Sequence, residues 1–280
     1  MPEFTTDGVH LVYDDDGNGP AVLFSHCWHC DARQWPQAAG VAHAGYRVLN
    51  LDNRGHGRSG PHRARYTMWD LADDLIRVLD HASEERAVLV GLSLGGFAAM
   101  RAAVRYPSRV RGIVVAGVIG GVQTRAERAQ YRISRLLIRT PVRPLLYSNL
   151  IKLLFGPTSR RTKPDLIAEW RSRFATQDLG SMVAAGDAAI DRRDDFTAQL
   201  SRIVVPTLVI MGEEDPVVAR AATMAANIAG ARFMTLPGAG HLSSVESPQA
   251  FETAVLDFLH GLEPLSGEGR NEPGPALAAV

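Results

Sequence analysis

The sequence predicts an α/β protein, a mostly parallel sheet covered on both faces by helices, with a helical segment inserted into it. Three observations carry that expectation. Apolar runs of strand length alternate with helical patterns along most of the chain, the signature of a sheet flanked by crossover helices. The alternation stops between about 122 and 187, where helical patterns follow one another with no convincing strand. Residues 8–20 read instead as a strand and a tight turn feeding the next strand, so the sheet begins antiparallel.

In chain order, the first strand (8–13) ends in Asp14-Asp15-Asp16-Gly17-Asn18-Gly19-Pro20, a run of turn formers. Apolar strands follow at 21–25 and 47–51, then a helical period over 68–81, a strand at 87–91, an Ala-rich helix over 94–106 and a strand at 113–117. Inside the inserted segment, Pro141, Pro144, Gly156-Pro157 and Pro164 each predict a helix break. Beyond it come a strand at 207–211, a helix over 217–228, a strand at 233–236 and a final helix over 248–262. The expected division is a core of residues 1–121 and 188–262, a helical cap (lid) of 122–187 and a Gly- and Pro-rich disordered tail of 263–280.

The chain has 280 residues and 46% hydrophobic content, enough for one large core. Its 21% charged residues and ordinary numbers of Gly and Pro exclude collagen-like, coiled-coil and disordered classes. Thirty basic and thirty acidic side chains cancel, so no global field recruits nucleic acid or an anionic membrane. No stretch approaches the roughly 20 apolar residues of a membrane span, and Met1-Pro2-Glu3-Phe4 lacks the features of a secretory signal. Two cysteines, Cys27 and Cys30, cannot make a disulfide framework, which fits a reducing, cytoplasmic setting.

Charge is informative locally. Residues 123–174 hold twelve basic side chains against three acidic ones, and Arg125, Arg128, Arg132, Arg135 and Arg139 share one helical face. A solvated outer face is the plain reading of that stripe; an anion-attracting pocket rim and a protein or membrane contact are the alternatives.

The strongest chemical signal is Gly91-Leu92-Ser93-Leu94-Gly95-Gly96, which follows an apolar strand and opens a helix. A serine on so sharp a strand-to-helix turn needs tiny neighbours two positions away, and it stands above the sheet at a helix N-terminus. A hydroxyl is a weak nucleophile near neutral pH, so it requires an imidazole to take its proton and a carboxylate to orient that imidazole. Both follow in that order. The strand at 207–211 runs into Gly212-Glu213-Glu214-Asp215-Pro216, where Asp215 is the preferred acid, with Glu213 and Glu214 as alternatives; His241 lies in a loop after the strand at 233–236. Cys27-Trp28-His29-Cys30 has the spacing of a redox or metal pair, but no second cysteine pair completes a structural zinc set, so it reads as two thiols near the pocket. No cofactor and no metal are expected.

These motifs, together with Ser25-His26-Cys27-Trp28, the loop Asp52-Asn53-Arg54-Gly55-His56-Gly57-Arg58-Ser59 and Gly240-His241-Leu242-Ser243, resemble the α/β-hydrolase superfamily across residues 4–262. Within it, the Trp after Ser-His-x is similar to bacterial aryl esterases and cofactor-free perhydrolases, and residues 240–246 to 3-oxoadipate enol-lactonases. The resemblance implies an eight-stranded sheet, Ser93 as nucleophile, His241 as base, Asp215 as its orienter, and the backbone N–H groups of Trp28 and Leu94 as an oxyanion hole. One departure concerns that hole: such proteins usually carry His-Gly where this chain has His26-Cys27. The loop 54–59 is expected to support the serine turn structurally rather than take part in chemistry.

A serine nucleophile attacks a carbonyl, so the expected reaction is hydrolysis of a carboxylic ester or lactone of a small, partly apolar molecule through an acyl-enzyme. Carbon–carbon bond hydrolysis and perhydrolysis can run on the same residues, and an acyltransferase or a slow-turnover ligand receptor are alternatives of another class. The expected partner is that small molecule, with no nucleic acid and no membrane span; a homo-oligomer stays open.

Overall fold

The computed structural model describes residues 1–262, so the tail expected at 263–280 lies outside the described residues. Eight strands, β1 (Glu3–Thr6), β2 (Val9–Asp16), β3 (Ala21–Ser25), β4 (Arg47–Asp52), β5 (Ala87–Leu92), β6 (Val110–Ala116), β7 (Thr207–Gly212) and β8 (Arg232–Leu236), form one sheet in the order β1-β2-β4-β3-β5-β6-β7-β8. The β1–β2 and β2–β4 pairings are antiparallel and all the others parallel, as the opening of the sequence predicts. Every residue of β3, β5 and β7 is buried, because helices cover both faces of a parallel sheet. Alternate positions divide between two cores: Leu23, Leu89, Val115 and Val209 pack on one face, Val22, Val88, Val114 and Leu208 on the other.

Between the strands run α1 (Gln37–His43), α2 (Met68–His81) and α3 (Leu94–Arg105). After β6 come five helices without an intervening strand: α4 (Arg125–Leu137), α5 (Arg143–Leu154), α6 (Pro157–Thr162), α7 (Pro164–Ala175) and α8 (Leu179–Gly186). The chain then returns through β7 to α9 (Val218–Ala225), α10 (Ser243–Glu246) and α11 (Pro248–His260). Capping boxes fix two starts: Thr67 and Asp70 open α2, and Thr124 and Glu127 open α4. Among the described residues no helix is long and apolar enough to cross a membrane.

Two local expectations are corrected, and the helix breaks at the prolines fall where the sequence places them. The acids Asp14-Asp15-Asp16 continue β2 instead of turning, because Arg47 clasps both oxygens of Asp15 (2.9 and 2.7 Å) and Arg58 pairs with Asp14. Strand β1 has no apolar run behind it; its alternately exposed residues are held by pairing to β2 at the sheet edge. Pro144 sits in the first turn of α5, and Pro157 and Pro164 begin α6 and α7, positions where a missing N–H costs nothing.

Five contacts tie the inserted helices to the sheet side. Glu214, after β7, accepts from Thr158 N (2.8 Å) and Oγ1 (2.6 Å). Glu246 accepts from Gly156 N at 2.9 Å, Leu242 N donates to Leu154 O at 2.9 Å, His62 N donates to Ser181 Oγ at 2.9 Å, and Trp28 Nε1 donates to Met182 O at 2.9 Å.

The turn after β4 is fastened to α2 by Arg54, which grips Asp74 through Nε (2.5 Å) and Nη2 (2.6 Å) with both side chains buried. Asp74→Ala leaves a buried, unpaired guanidinium and should cost about 3–5 kcal/mol, read as a lower urea midpoint at unchanged slope; a midpoint equal to the parent's contradicts this.

Candidate active site

Ser93 joins β5 to α3 at φ +51° and ψ −105°, a conformation that L-residues other than Gly rarely adopt. Its N–H donates to Ala116 O at 2.8 Å, which fixes the turn to the end of β6. The glycine requirement is steric. A Cβ on Gly91 would stand 2.5 Å from the Gly95 carbonyl, and one on Gly95 would strike the Ser25 backbone. The hydroxyl residue thus lies half-buried at the N-terminus of α3, where unpaired N–H groups favour negative charge.

Two loops at the same edge of the sheet bring the acid and the imidazole together. Asp215 follows β7 by three residues and is 3% exposed; its Oδ1 accepts from Val217 N at 3.0 Å, and its Oδ2 lies 2.8 Å from Nδ1 of His241, after β8. Nδ1–H therefore donates to the carboxylate and Nε2 is left for other partners. Burial pushes the Asp215 carboxyl up, but the His241 charge and hydrogen bond and the Val217 amide outweigh it and hold it below its ordinary value. Burial works against charge on His241 too, yet Asp215 and then Cys27 raise it well above 6.5. Room for the ring comes from Gly117 at φ +61°, where a Cβ would meet His241 Cε1 at 2.9 Å. Glu213 is exposed, and Glu214 is occupied with Thr158.

The loop after β3 forms the third side. Ser25 Oγ donates to Asn53 Oδ1 (2.8 Å), Asn53 Nδ2 to His26 O (2.9 Å), Asn53 N to His26 Nε2 (3.0 Å), and Gly95 N to His26 O (3.2 Å). Buried Asp52 accepts from Ala32 N at 2.6 Å and from Arg58. The segment after β4 is thus a brace for this loop. The Cys27 N–H is taken by Gln34 Oε1 at 2.8 Å, whereas among the described residues no hydrogen bond engages the N–H of Trp28 or Leu94.

Cys27 does more than fill space. The buried thiol sits among the Cys30, His241 and Ser93 side chains, all of which favour its ionised form. Among the described residues Ser93 Oγ and His241 share no direct hydrogen bond, and Cys27 is a neighbour of both.

The inserted helices contribute residues that the sequence did not single out. Tyr131 of α4 packs edge-on to Trp28 at 5.9 Å and donates to Asp187 Oδ1 (2.8 Å) and Val183 O (3.1 Å). Gly186 accommodates both rings, since its Cβ would lie 2.6 Å from Trp28 and 2.7 Å from the Tyr131 hydroxyl. The arginine stripe is partly neutralised: Arg132 pairs with Asp191 (2.6 Å) and Arg135 with Asp187 (2.9 Å), and Arg125 and Arg139 are exposed. A groove of about 650 Å³ between the β4 turn and α7 is lined by Asp31, Arg33, His56, Arg58 and Gln177, and not by Ser93, Asp215 or His241.

Comparison with known proteins establishes the family. The family model described as alpha/beta hydrolase fold matches residues 20–248. The chain belongs to the α/β-hydrolase family. It is 30% identical over 258 residues to 3-oxoadipate enol-lactonase 2 of Acinetobacter baylyi, covering 90% of this chain and 93% of that one. It is 26% identical to a bifunctional esterase/perhydrolase of Acinetobacter calcoaceticus, over 91% of this chain and 98% of the relative. The solved enol-lactonase of Burkholderia xenovorans superposes with a TM-score of 0.84 at 28% identity, covering 92% of this chain and 100% of its own. Relatives of this kind bear out the resemblance and support a hydrolase.

Since Asp215 and Cys27 both raise the His241 pKa, Asp215→Asn and Cys27→Gly should each lower it, Asp215→Asn by more. Ring-nitrogen NMR of His241 across pH checks this; an unmoved titration in Asp215→Asn contradicts it.

Proposed function

We propose that the protein is a serine hydrolase that cleaves a carboxylic ester or lactone of a small molecule through an acyl-enzyme. The observation that carries this is the 2.8 Å Asp215–His241 hydrogen bond at the mouth of a Ser93 turn held at φ +51°. In this scheme Ser93 Oγ attacks the carbonyl carbon while His241 Nε2 takes its proton. The imidazolium, steadied by Asp215, then protonates the departing alkoxide, and a water activated by the neutral ring releases the acid. A lactone follows the same course, with its alcohol still tethered to the acyl group.

The uncommitted N–H groups of Trp28 and Leu94 support an oxyanion hole; each such donor is typically worth about 3 kcal/mol in the transition state. The Trp28–Tyr131 pair beneath Gly186 supports a cap, residues 122–187, that closes an aromatic wall over a partly apolar acyl or alcohol group. With Arg132 and Arg135 already paired, the stripe supports no demand for an anionic substrate. The names of the lactonase and esterase relatives favour a carbonyl substrate over other chemistries of the fold.

Two outcomes test the scheme. Ser93→Ala should lower kcat on a short-chain aryl ester by roughly a million-fold without moving the unfolding transition; retained turnover contradicts it. Acylation needs the neutral imidazole, so kcat/KM in the parent should rise with pH on a limb displaced above 6.5, because the folded His241 pKa is raised. A limb at or below 6.5 contradicts this.

A further inference from the structure

The mechanism above uses neither thiol of the loop after β3. Cys27 and Cys30 are both free and buried. Cys30 N donates to Cys27 O at 3.1 Å, and His29 between them sits at φ +62°, so the four residues close a tight turn. Such a turn brings its end Cα atoms within about 7 Å, which overlaps the roughly 4.4–6.8 Å that a disulfide spans. The two thiols are neighbours close enough to shift one another's ionisation. On its other side, the Cys27 thiol neighbours the His241 ring and half-buried Ser93.

We propose that Cys27 is an oxidation site for small hydroperoxides, that Cys30 resolves the product as a Cys27–Cys30 disulfide, and that this reversibly silences the site at Ser93. The activity part of the inference rests on the function proposed above. In the first step the Cys27 thiolate takes the terminal oxygen of the hydroperoxide. The O–O bond breaks, the sulfur gives up two electrons to become a sulfenic acid, and the hydroxide or alkoxide released takes a proton from the His241 imidazolium. In the second step the Cys30 sulfur attacks the sulfenic sulfur, the S–S bond forms, and water leaves with the Cys30 proton. With hydrogen peroxide the sum is two thiols and one peroxide giving one disulfide and two waters.

The surroundings divide the two roles. Burial pushes Cys27 up, but Cys30, His241 and Ser93 together hold its thiol below the ordinary range. Burial and the neighbouring Cys27 and Asp31 push Cys30 up, against Arg173. One sulfur is therefore the thiolate that meets the oxidant and the other a protonated thiol beside it, the arrangement of an attacking and a resolving cysteine. Disulfide formation draws the Cys27 sulfur away from His241 and tightens the turn that carries the Trp28 N–H. A displacement of about 1 Å at such a group can cost about 100-fold in rate.

The test treats the reduced full-length protein with hydrogen peroxide and reads intact mass, free thiols and hydrolysis of a short-chain aryl ester. The expected result is a loss of about 2 Da, disappearance of both thiols from monomeric protein, and a fall in hydrolysis of about 100-fold, all reversed by dithiothreitol. In Cys30→Ser the mass should instead rise by about 32 Da, the sulfinic acid, and the reductant should no longer restore activity. In Ser93→Ala the same loss of mass should occur although hydrolysis is gone, so failure of the serine scheme and failure of this one give different results. Two thiols surviving in peroxide, disulfides formed only between chains, or a Cys27–Cys30 disulfide that leaves hydrolysis unchanged would each overturn the proposal.

Discussion

The arrangement depends on one steric constraint: the turn between β5 and α3 closes only if residues 91 and 95 are hydrogen-sized. Gly95 lies against the backbone of Ser25, and its N–H donates to His26 O. The same closure that raises Ser93 therefore fixes the loop after β3. Because Ser93 N also donates to Ala116 O, the turn is locked to β6, and β6 delivers Gly117 beneath the His241 ring. A side chain at either glycine would force apart strands that are buried on both faces, so the constraint belongs to folding as much as to chemistry.

Electrostatics is layered on that frame. His241 is buried, which disfavours its charge, and Asp215 reverses the balance with a carboxylate that is itself almost wholly covered. Such a pair is poised to accept a proton from a neighbour and to hold it in a water-poor site. The unusual component is the thiol of Cys27, a neighbour of the imidazole. In the proposed scheme two nucleophiles of different softness, an oxygen and a sulfur, share one base.

Much of the fold was legible because its strong elements announce themselves locally. Helix α2 has a capping box and a clean apolar stripe, and β3, β5 and β7 are short apolar runs between turn formers. The weak elements were not legible, for a physical reason. Strand β1 is half exposed and exists through pairing, and Asp14–Asp16 extend β2 because arginines far along the chain neutralise them. Ser93, Asp215 and His241 could be singled out because each sits at a strand end in a motif with its own steric signature. Tyr131 and Gly186 could not, since their partners lie tens of residues away and nothing local distinguishes them; Glu214, an alternative acid by sequence, instead holds Thr158 of the inserted helices. Cys27 was visible as a departure from glycine, but its contact with His241 depends on a fold that joins residues more than two hundred positions apart.

In the proposed reaction the Ser93 oxygen, not the neighbouring Cys27 sulfur, attacks the carbonyl carbon. Reacting the protein with an aryl ester under rapid acid quench, followed by peptide mapping of the trapped acyl group by mass spectrometry, separates the two nucleophiles. The expected adduct is an oxygen ester on the peptide containing Ser93, formed and consumed at rates compatible with turnover. A thioester on Cys27 at those rates, with Ser93 unmodified, would contradict it.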